Sequence, residues 1–485
     1  MPAQAAGPAA PPPGLRELLR SPGYGRLLLV SALVGVPVSL AAFGFVGLEH
    51  ELQHWVWESL PRKLDHARAP WWWPLPALAL AGLLLAPIVT RMPGRGGHTP
   101  VLGLGGPPTL PVEVPSVVLA ALAALPLGAV LGPEAPLMAL GSGLALLTVS
   151  AAKRAASPLL GPMLGAAGST AAIATIFGSP LVAAVMMIEA AGLGGAQLTM
   201  LLLPCLLASG VGALVFTGFG HWTGLSIGAL SLPSVPRAGL PDAGDFLWGV
   251  PLAVVIAVVL VAGQTLGHRS AAFTAHRTAV RTVLCAVLVG GCVAGYALVT
   301  GRSPEEAALS GQATLGQLAA DPHGWPVGAL LALVLFKGLG WGVALGSLRG
   351  GPIFPAVLLG AALGVAAGGL PGLGVEAGLA AGLAAGSSAV TRLPVTSTVL
   401  AAALLGDQAT DSMPLLIVAA VVAFLTATFV HRVAAPGPDA GSDAGPGAGP
   451  GAGPGAGAGR GGRARGPGAG AGPEPGRPAP AGPVQ

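Results

Sequence analysis

The sequence predicts an all-α integral membrane protein made of many tilted and broken transmembrane helices related by an inverted repeat. Three observations carry that prediction. The 485 residues are 53% hydrophobic and only 9% charged, with a mean hydropathy of +0.75, a balance that excludes a soluble globule. Uncharged runs able to hold a bilayer-crossing helix of about 20 residues recur at 155–188, 190–220, 246–267, 282–301, 350–375 and 414–430. Glycines and prolines interrupt these runs at corresponding places in the two halves, so one run can hold two short helices. The expected number of membrane segments is therefore ten or more.

Residues 1–13, dominated by Pro, Ala and Gly, read as a disordered leader. They are not a cleavable signal, because no basic stretch precedes a short apolar core. Residues 14–27 read as an interfacial helix feeding a first span over about 27–48, and Arg16, Arg20 and Arg26 favour a cytoplasmic N-terminus. Residues 49–74 carry Trp55, Trp57, Trp71, Trp72 and Trp73 and read as a loop at the opposite face, its indoles at headgroup level. The membrane domain occupies 14–433, and a polar gap at 231–245 separates halves at about 14–230 and 246–433. Phe-Gly-Ser-Pro-Leu-Val-Ala-Ala-Val (177–185) in the first half corresponds to Thr-Arg-Leu-Pro-Val-Thr-Ser-Thr-Val (391–399) in the second. Each follows a Gly/Ala-rich helix, opens a new helix at proline, and comes about 40–46 residues after a Gly/Pro-rich break (132–136 and 350–355).

Of the 50 residues in 436–485, 40 are Gly, Pro or Ala; such a segment cannot bury a core, and 434–485 is expected to be a disordered tail. Cys205, Cys285 and Cys292 lie in apolar runs as small core residues, indicating neither a disulfide framework nor a metal cluster. The net charge of +4 is small and dispersed, so nucleic acid is not an expected partner, and no cofactor is called for.

Between Glu113 and Lys153 the one charged residue is Glu134, in Leu-Gly-Pro-Glu-Ala-Pro (131–136). A lone acid at the centre of a membrane helix costs roughly 3 kcal/mol on insertion scales and usually has a function. The surrounding prolines and glycine place it at a helix start, where free backbone N–H groups attract anions. Two other breaks share the design of glycines and prolines followed by a helix: Pro-Gly-Arg-Gly-Gly-His-Thr-Pro (93–100) and Arg-Gly-Gly-Pro-Ile-Phe-Pro (349–355). Unwound backbone at membrane depth is tolerated where it lines a cavity or is buried in protein. Converging helix N-termini would bind a halide through N–H groups alone, weakly enough for the ion to leave.

The order and spacing of these motifs, from about residue 15 to 430, resemble the CLC family of chloride channels and chloride/proton antiporters, in a divergent bacterial branch. The first break occupies the place of the family's Gly-Ser-Gly-Ile-Pro, and Gly-Pro-Glu-Ala-Pro that of Gly-Arg/Lys-Glu-Gly-Pro. Phe-Gly-Ser-Pro-Leu with Met-Met-Ile-Glu (186–189) resembles the helix that begins Phe-Asn-Ala-Pro-Leu and ends Ile-Ile-Glu-Glu, and Arg-Gly-Gly-Pro-Ile-Phe-Pro resembles Gly-Gly-x-Phe-x-Pro. The resemblance implies a CLC-like inverted-repeat fold with Glu134 as the gating residue: an ionised carboxylate can fill a halide site, and its protonation frees that site. It further implies anion-binding positions at Gly97, His98, Thr99, Gly351, Ile353 and Phe354.

The chain departs from the family pattern at several places. Gly97 replaces the usual serine, leaving His98 and Thr99 as alternative donors, while His98 also reads as a polar loop residue. Pro352 has no N–H, so a one-residue shift is preferred that makes Ile353 and Phe354 the donors. Glu189 matches the first of the family's paired acids and is either a proton-path residue or a helix-end acid; Ala190 stands at the second. Neither Tyr24 nor Tyr296 occupies the place of the pore tyrosine. The expected protein is a multi-pass homodimer, with one pore per subunit, among the lipids of a bacterial cytoplasmic membrane. Its cargo is chloride or a similar small anion. Loss of the inner acid leans the reading to a channel, with chloride/proton or fluoride/proton exchange as the alternative.

A rival reading comes from His50-Glu51-Leu52-Gln53-His54. His-Glu-x-x-His on a helix sets two imidazoles on one face for zinc, with the glutamate as general base, as in intramembrane metalloproteases. Asp242 is the conceivable third ligand. The same residues also read as an amphipathic helix end, and the chain is expected not to be an enzyme.

Overall fold

The computed structural model describes residues 22–103, 106–151, 160–192, 195–223, 232 and 239–434, all within one compact unit. The expected leader, most of the interfacial segment and about half of the 231–245 gap lie outside the described residues. So does the tail beyond Ala434, which ends the last helix.

The described residues are almost entirely helical. In the first half they form α1 (Pro22–His54), α2 (Leu60–Lys63), α3 (Pro74–Arg91), α4 (Val114–Ala124), α5 (Glu134–Ala151), α6 (Leu160–Phe177), α7 (Pro180–Ala191) and α8 (Gly195–Thr223). In the second half they form α9 (Ala243–Ala275), α10 (Thr278–Thr300), α11 (Gln312–Ala320), α12 (Val327–Ser347), α13 (Ile353–Ala367), α14 (Val375–Thr391), α15 (Pro394–Leu405) and α16 (Ala409–Ala434). Among the described residues, the extended pairing is one antiparallel bridge, Gly132 to Gly351. Among the described residues, seven helical stretches are long and apolar enough to cross a membrane, and five further apolar helices of 10–17 residues accompany them. The short ones are what broken spans leave.

The repeat is visible in the order of elements. In each half a helix leaves a Gly/Pro break (α5, α13), a Gly/Ala-rich helix packs on it (α6, α14), and a 12-residue helix starts at proline (α7, α15). A long helix follows (α8, α16). Small residues permit the close packing: a Cβ on Gly141 would strike the backbone of Gly168, and one on Gly360 or Gly364 would strike that of Gly382 or Gly378. Ser179 caps α7, accepting the Val182 N–H at 3.3 Å, which is why the 155–188 run splits there.

Three expectations are corrected. The segment 49–74 is not a loop throughout: α1 runs to His54, continues as a π-helical turn over Trp55–Ser59, and reaches Lys63 through α2. Nothing between Leu48 and Leu60 is Gly or Pro, and the Glu, Leu and Gln there favour helix. Two of the five tryptophans are buried rather than at the headgroups. Trp57 donates from Nε1 to the Pro126 carbonyl at 3.0 Å, and Trp73 to that of Val56 at 3.2 Å, while Trp55, Trp71 and Trp72 are exposed. The first break does not open a long helix. It leads into a three-residue 3₁₀ turn, Pro100–Leu102, because Gly103, Pro107, Pro108 and Pro111 prevent propagation before α4.

Candidate anion site

Two breaks meet at one point. The N–H of Gly132 donates to the carbonyl of Gly351 at 2.8 Å, and that of Gly351 to the carbonyl of Gly132 at 2.5 Å. Just beyond this bridge the two chains turn into α5 and α13. Glu134, the first residue of α5, is fully buried. Its Oε1 accepts the backbone N–H of Phe354 at 2.8 Å, while Oε2 is buried without a hydrogen-bond partner. Pro352 stands outside α13 as its N-cap, so the helix starts at Ile353 and the free N–H groups of its first turn are those of Ile353 and Phe354, as the shifted register expects. The carboxylate thus takes the position that a bound anion would take at this helix start. Gly351 is adjacent: a Cβ there would collide with the Glu134 carboxylate. The Phe354 ring lies 5.5 Å from that of Phe177, where the first half's Phe-Gly-Ser-Pro begins.

The first break reaches this point through an arginine. Arg349 donates from Nε to the Arg95 carbonyl at 3.2 Å and from Nη1 to the Leu348 carbonyl at 3.1 Å. Gly97 has φ +89° and packs on Val117 of α4. His98 is exposed to a cavity of about 240 Å³ whose walls include Ala135 and Met138 of α5, Met186 and Ala190 of α7, and Leu393. Thr99 is partly buried ahead of the 3₁₀ turn. The structure therefore brings Gly351, Ile353 and Phe354 directly to Glu134. His98 lines the neighbouring cavity with Gly97 and Thr99 on either side of it in the chain, and no hydrogen bond joins the three to Glu134.

Glu189 has a different environment. Its carboxylate accepts the N–H groups of Val395 (3.0 Å) and Thr396 (2.7 Å) and the Thr396 hydroxyl (2.7 Å), all at the start of α15. An acid of the first half thus seats on a helix N-terminus of the second half twice: Glu134 on α13 and Glu189 on α15.

The zinc reading finds no support. His50 and Glu51 are exposed, His54 pairs with Glu58 at 3.5 Å, and Asp242 caps α9 by accepting the N–H groups of Gly244 and Asp245. Among the described residues no group of three His, Cys, Asp or Glu could hold a metal ion.

Among the described residues, sequence reasoning missed two buried charges, Lys337 and Glu49, and one partly buried one, Arg349. Lys337, within the apolar α12, is fully buried and donates to the carbonyls of Ala307 (3.1 Å), Ala308 (2.7 Å) and Leu309 (3.2 Å). The Leu309 N–H continues to the Gly128 carbonyl at 3.4 Å, on the segment that leads to Glu134. The signal was available, for Lys337 is the one Asp, Glu, Lys or Arg between Asp321 and Arg349. Arg349 was part of the third motif but carried no assigned contact. Glu49 of α1 is 7% exposed and accepts a hydrogen bond from Gln53 one turn on; it was hidden by the reading of 49–74 as a loop.

The family model described as voltage gated chloride channel matches residues 103–428. The chain is 27% identical over 345 residues to the "Putative ion-transport protein YfeO" of Salmonella paratyphi A, covering 69% of this chain and 79% of that one. It is 26% identical over 339 residues to the protein of the same name in Escherichia coli O139:H28, with 69% and 77% covered. Among solved structures, a CLC-type fluoride/proton antiporter superposes with a TM-score of 0.66 at 18% identity, covering 83% of this chain and 95% of that one. A slow cyanobacterial Cl⁻/H⁺ antiporter gives 0.69 at 17% identity, with 84% and 95% covered.

Proposed function

The chain belongs to the voltage gated chloride channel family, as a multi-pass membrane ion-transport protein, and we propose that it moves chloride through a pathway gated by Glu134. The observation that carries this reading is the carboxylate of Glu134 seated on the Phe354 N–H at the start of α13. When ionised it competes with a transported anion for that helix terminus; when protonated it loses the charge that holds it there, and an anion takes its place. The bridge between Gly132 and Gly351 fixes the two chains around the site, and the cavity beside His98 gives the anion a route toward it. A homodimer with one pore per subunit belongs to the same reading.

Proton-coupled exchange is the second reading. It is favoured by the buried acid Glu49, on which Glu134 acts electrostatically, and by the two solved neighbours, both antiporters. Glu189 supports it less, since α15 occupies its carboxylate. Purified protein in liposomes tests both readings, with efflux of chloride, fluoride and nitrate measured alongside proton movement. Chloride efflux is expected. Its absence from folded protein would overturn the proposal, and protons moving in a fixed ratio to chloride would select exchange over the channel.

A further inference from the structure

One face of α1 and its π-helical extension is applied to the segment that carries Glu134. Glu49, Gln53 and Trp57 recur at four-residue spacing along that face. Trp57 anchors it, with Nε1 on the Pro126 carbonyl and its ring against Gly128, where a Cβ would fall 2.6 Å from Cζ2. Gln53 donates to Glu49, and α1 packs on α5, the helix that Glu134 begins. The ionisable surroundings of Glu49 are sparse. Of the other helices packed on α1, α6 carries no ionisable side chain and α8 carries Cys205 and His221; the π-helical turn carries Glu58. Glu134 is the residue that acts electrostatically on Glu49.

Just beyond Glu49, α1 reaches an exposed titratable cluster. His54 and Glu58 pair at 3.5 Å, with side chains 48% and 41% exposed, and Arg62 joins Glu58 at 3.0 Å. Glu305, in the connection after α10, feels Glu58, Glu306 and His54; burial first, then the neighbouring Glu58 and Glu306, push its carboxyl above the ordinary range. A titratable carboxyl therefore stands beside the exposed cluster near the aqueous end of the face on which Glu49 lies.

We propose that Glu49 is the residue through which Glu134 exchanges protons with the aqueous phase at the C-terminal end of α1. The proposal rests on the reading of Glu134 as the gate. The proton leaves the Glu49 carboxyl and bonds to Oε2 of Glu134, the oxygen without a partner; Glu49 becomes the carboxylate and Glu134 the neutral acid. Glu49 then regains a proton from the aqueous side, by way of the His54, Glu58 and Glu305 cluster. The reverse sequence recharges the gate. A glutamate spends its burial cost here because a proton must cross an otherwise apolar interval between the surface and a fully buried acid.

The test is a rapid pH jump from neutral to acid on protein in chloride-loaded liposomes, with anion efflux followed in time and scaled to each protein's own acid plateau. Wild type, Glu49→Gln and Glu134→Gln are compared. Glu49→Gln is expected to slow the approach to plateau by about tenfold or more, within the range that a positioned proton-transfer group contributes. Glu134→Gln is expected to show no response to the jump. A wild-type time course in Glu49→Gln, with Glu134→Gln unresponsive, would overturn the relay and leave the gate standing. A wild-type response in Glu134→Gln would overturn both. Where Glu49→Gln does not fold, Glu49→Leu, which fills the site without a buried polar group, is read by the same two criteria.

Discussion

Replacing Glu134 by glutamine removes the charge and keeps the shape. The ionised carboxylate accepts one backbone N–H at 2.8 Å, and a hydrogen bond to a charged group is worth about 1.5–3 kcal/mol net. The helix terminus adds about 0.5–1 kcal/mol for a negative charge. Glutamine can accept the same N–H but gains only about 1 kcal/mol as a neutral acceptor. An anion competing for the start of α13 therefore faces roughly 1–3 kcal/mol less opposition in Glu134→Gln, which at 1.4 kcal/mol per decade is about tenfold to a hundredfold in occupancy. The sign with pH follows. In wild type, acid protonates Glu134 and flux rises; alkali ionises it, the carboxylate holds the site, and flux falls. Chloride efflux from liposomes, measured across neutral and acid pH, should show that slope in wild type and a flat, raised profile in Glu134→Gln. A variant whose flux at neutral pH is unchanged and whose slope matches wild type would refute the reasoning.

Other substitutions separate gate from scaffold. Gly351→Ala puts a Cβ into the Glu134 carboxylate, so it should dislodge the acid and raise efflux at neutral pH by about tenfold or more, as the loss of one charged hydrogen bond would; reduced efflux in folded protein would contradict this. Glu189→Ala frees two N–H groups of α15 and should cost about 1–2 kcal/mol of stability, read as a lower melting temperature in detergent with anion efflux retained. Lys337→Met leaves the carbonyls of Ala307, Ala308 and Leu309 without their donor and should cost about 3 kcal/mol. Its melting temperature should fall further than that of Glu189→Ala.

The fold was legible where composition and punctuation agree. Pro180 and Pro394 open helices as their sequence contexts require, and Pro352 stands at the N-cap of α13, where the N–H it lacks would have had no partner within the helix. The site was legible in part, through one physical signal: an isolated charge in an apolar run must have a partner. That signal found Glu134, and applied evenly it would also have found Lys337. Glu49 was not legible in the same way. It sits in Leu-Glu-His-Glu-Leu-Gln-His, where neighbouring polar residues disguise a buried acid as a surface one. Only the continuation of α1 to His54 turns that face toward the 126–134 segment. The convergence of the first break was over-read for the opposite reason. Its glycines matched the other breaks, while the run of prolines after it denied the helix that would have supplied N–H groups.

The central claim is that Glu134 occupies an anion site made by the start of α13. Crystals of Glu134→Gln grown in bromide test it most directly, through the anomalous signal of the ion. The account predicts a bromide within hydrogen-bonding distance of the Phe354 N–H, with the glutamine displaced from it. A well-ordered site with the carboxamide still on Phe354 and no bromide there would contradict it.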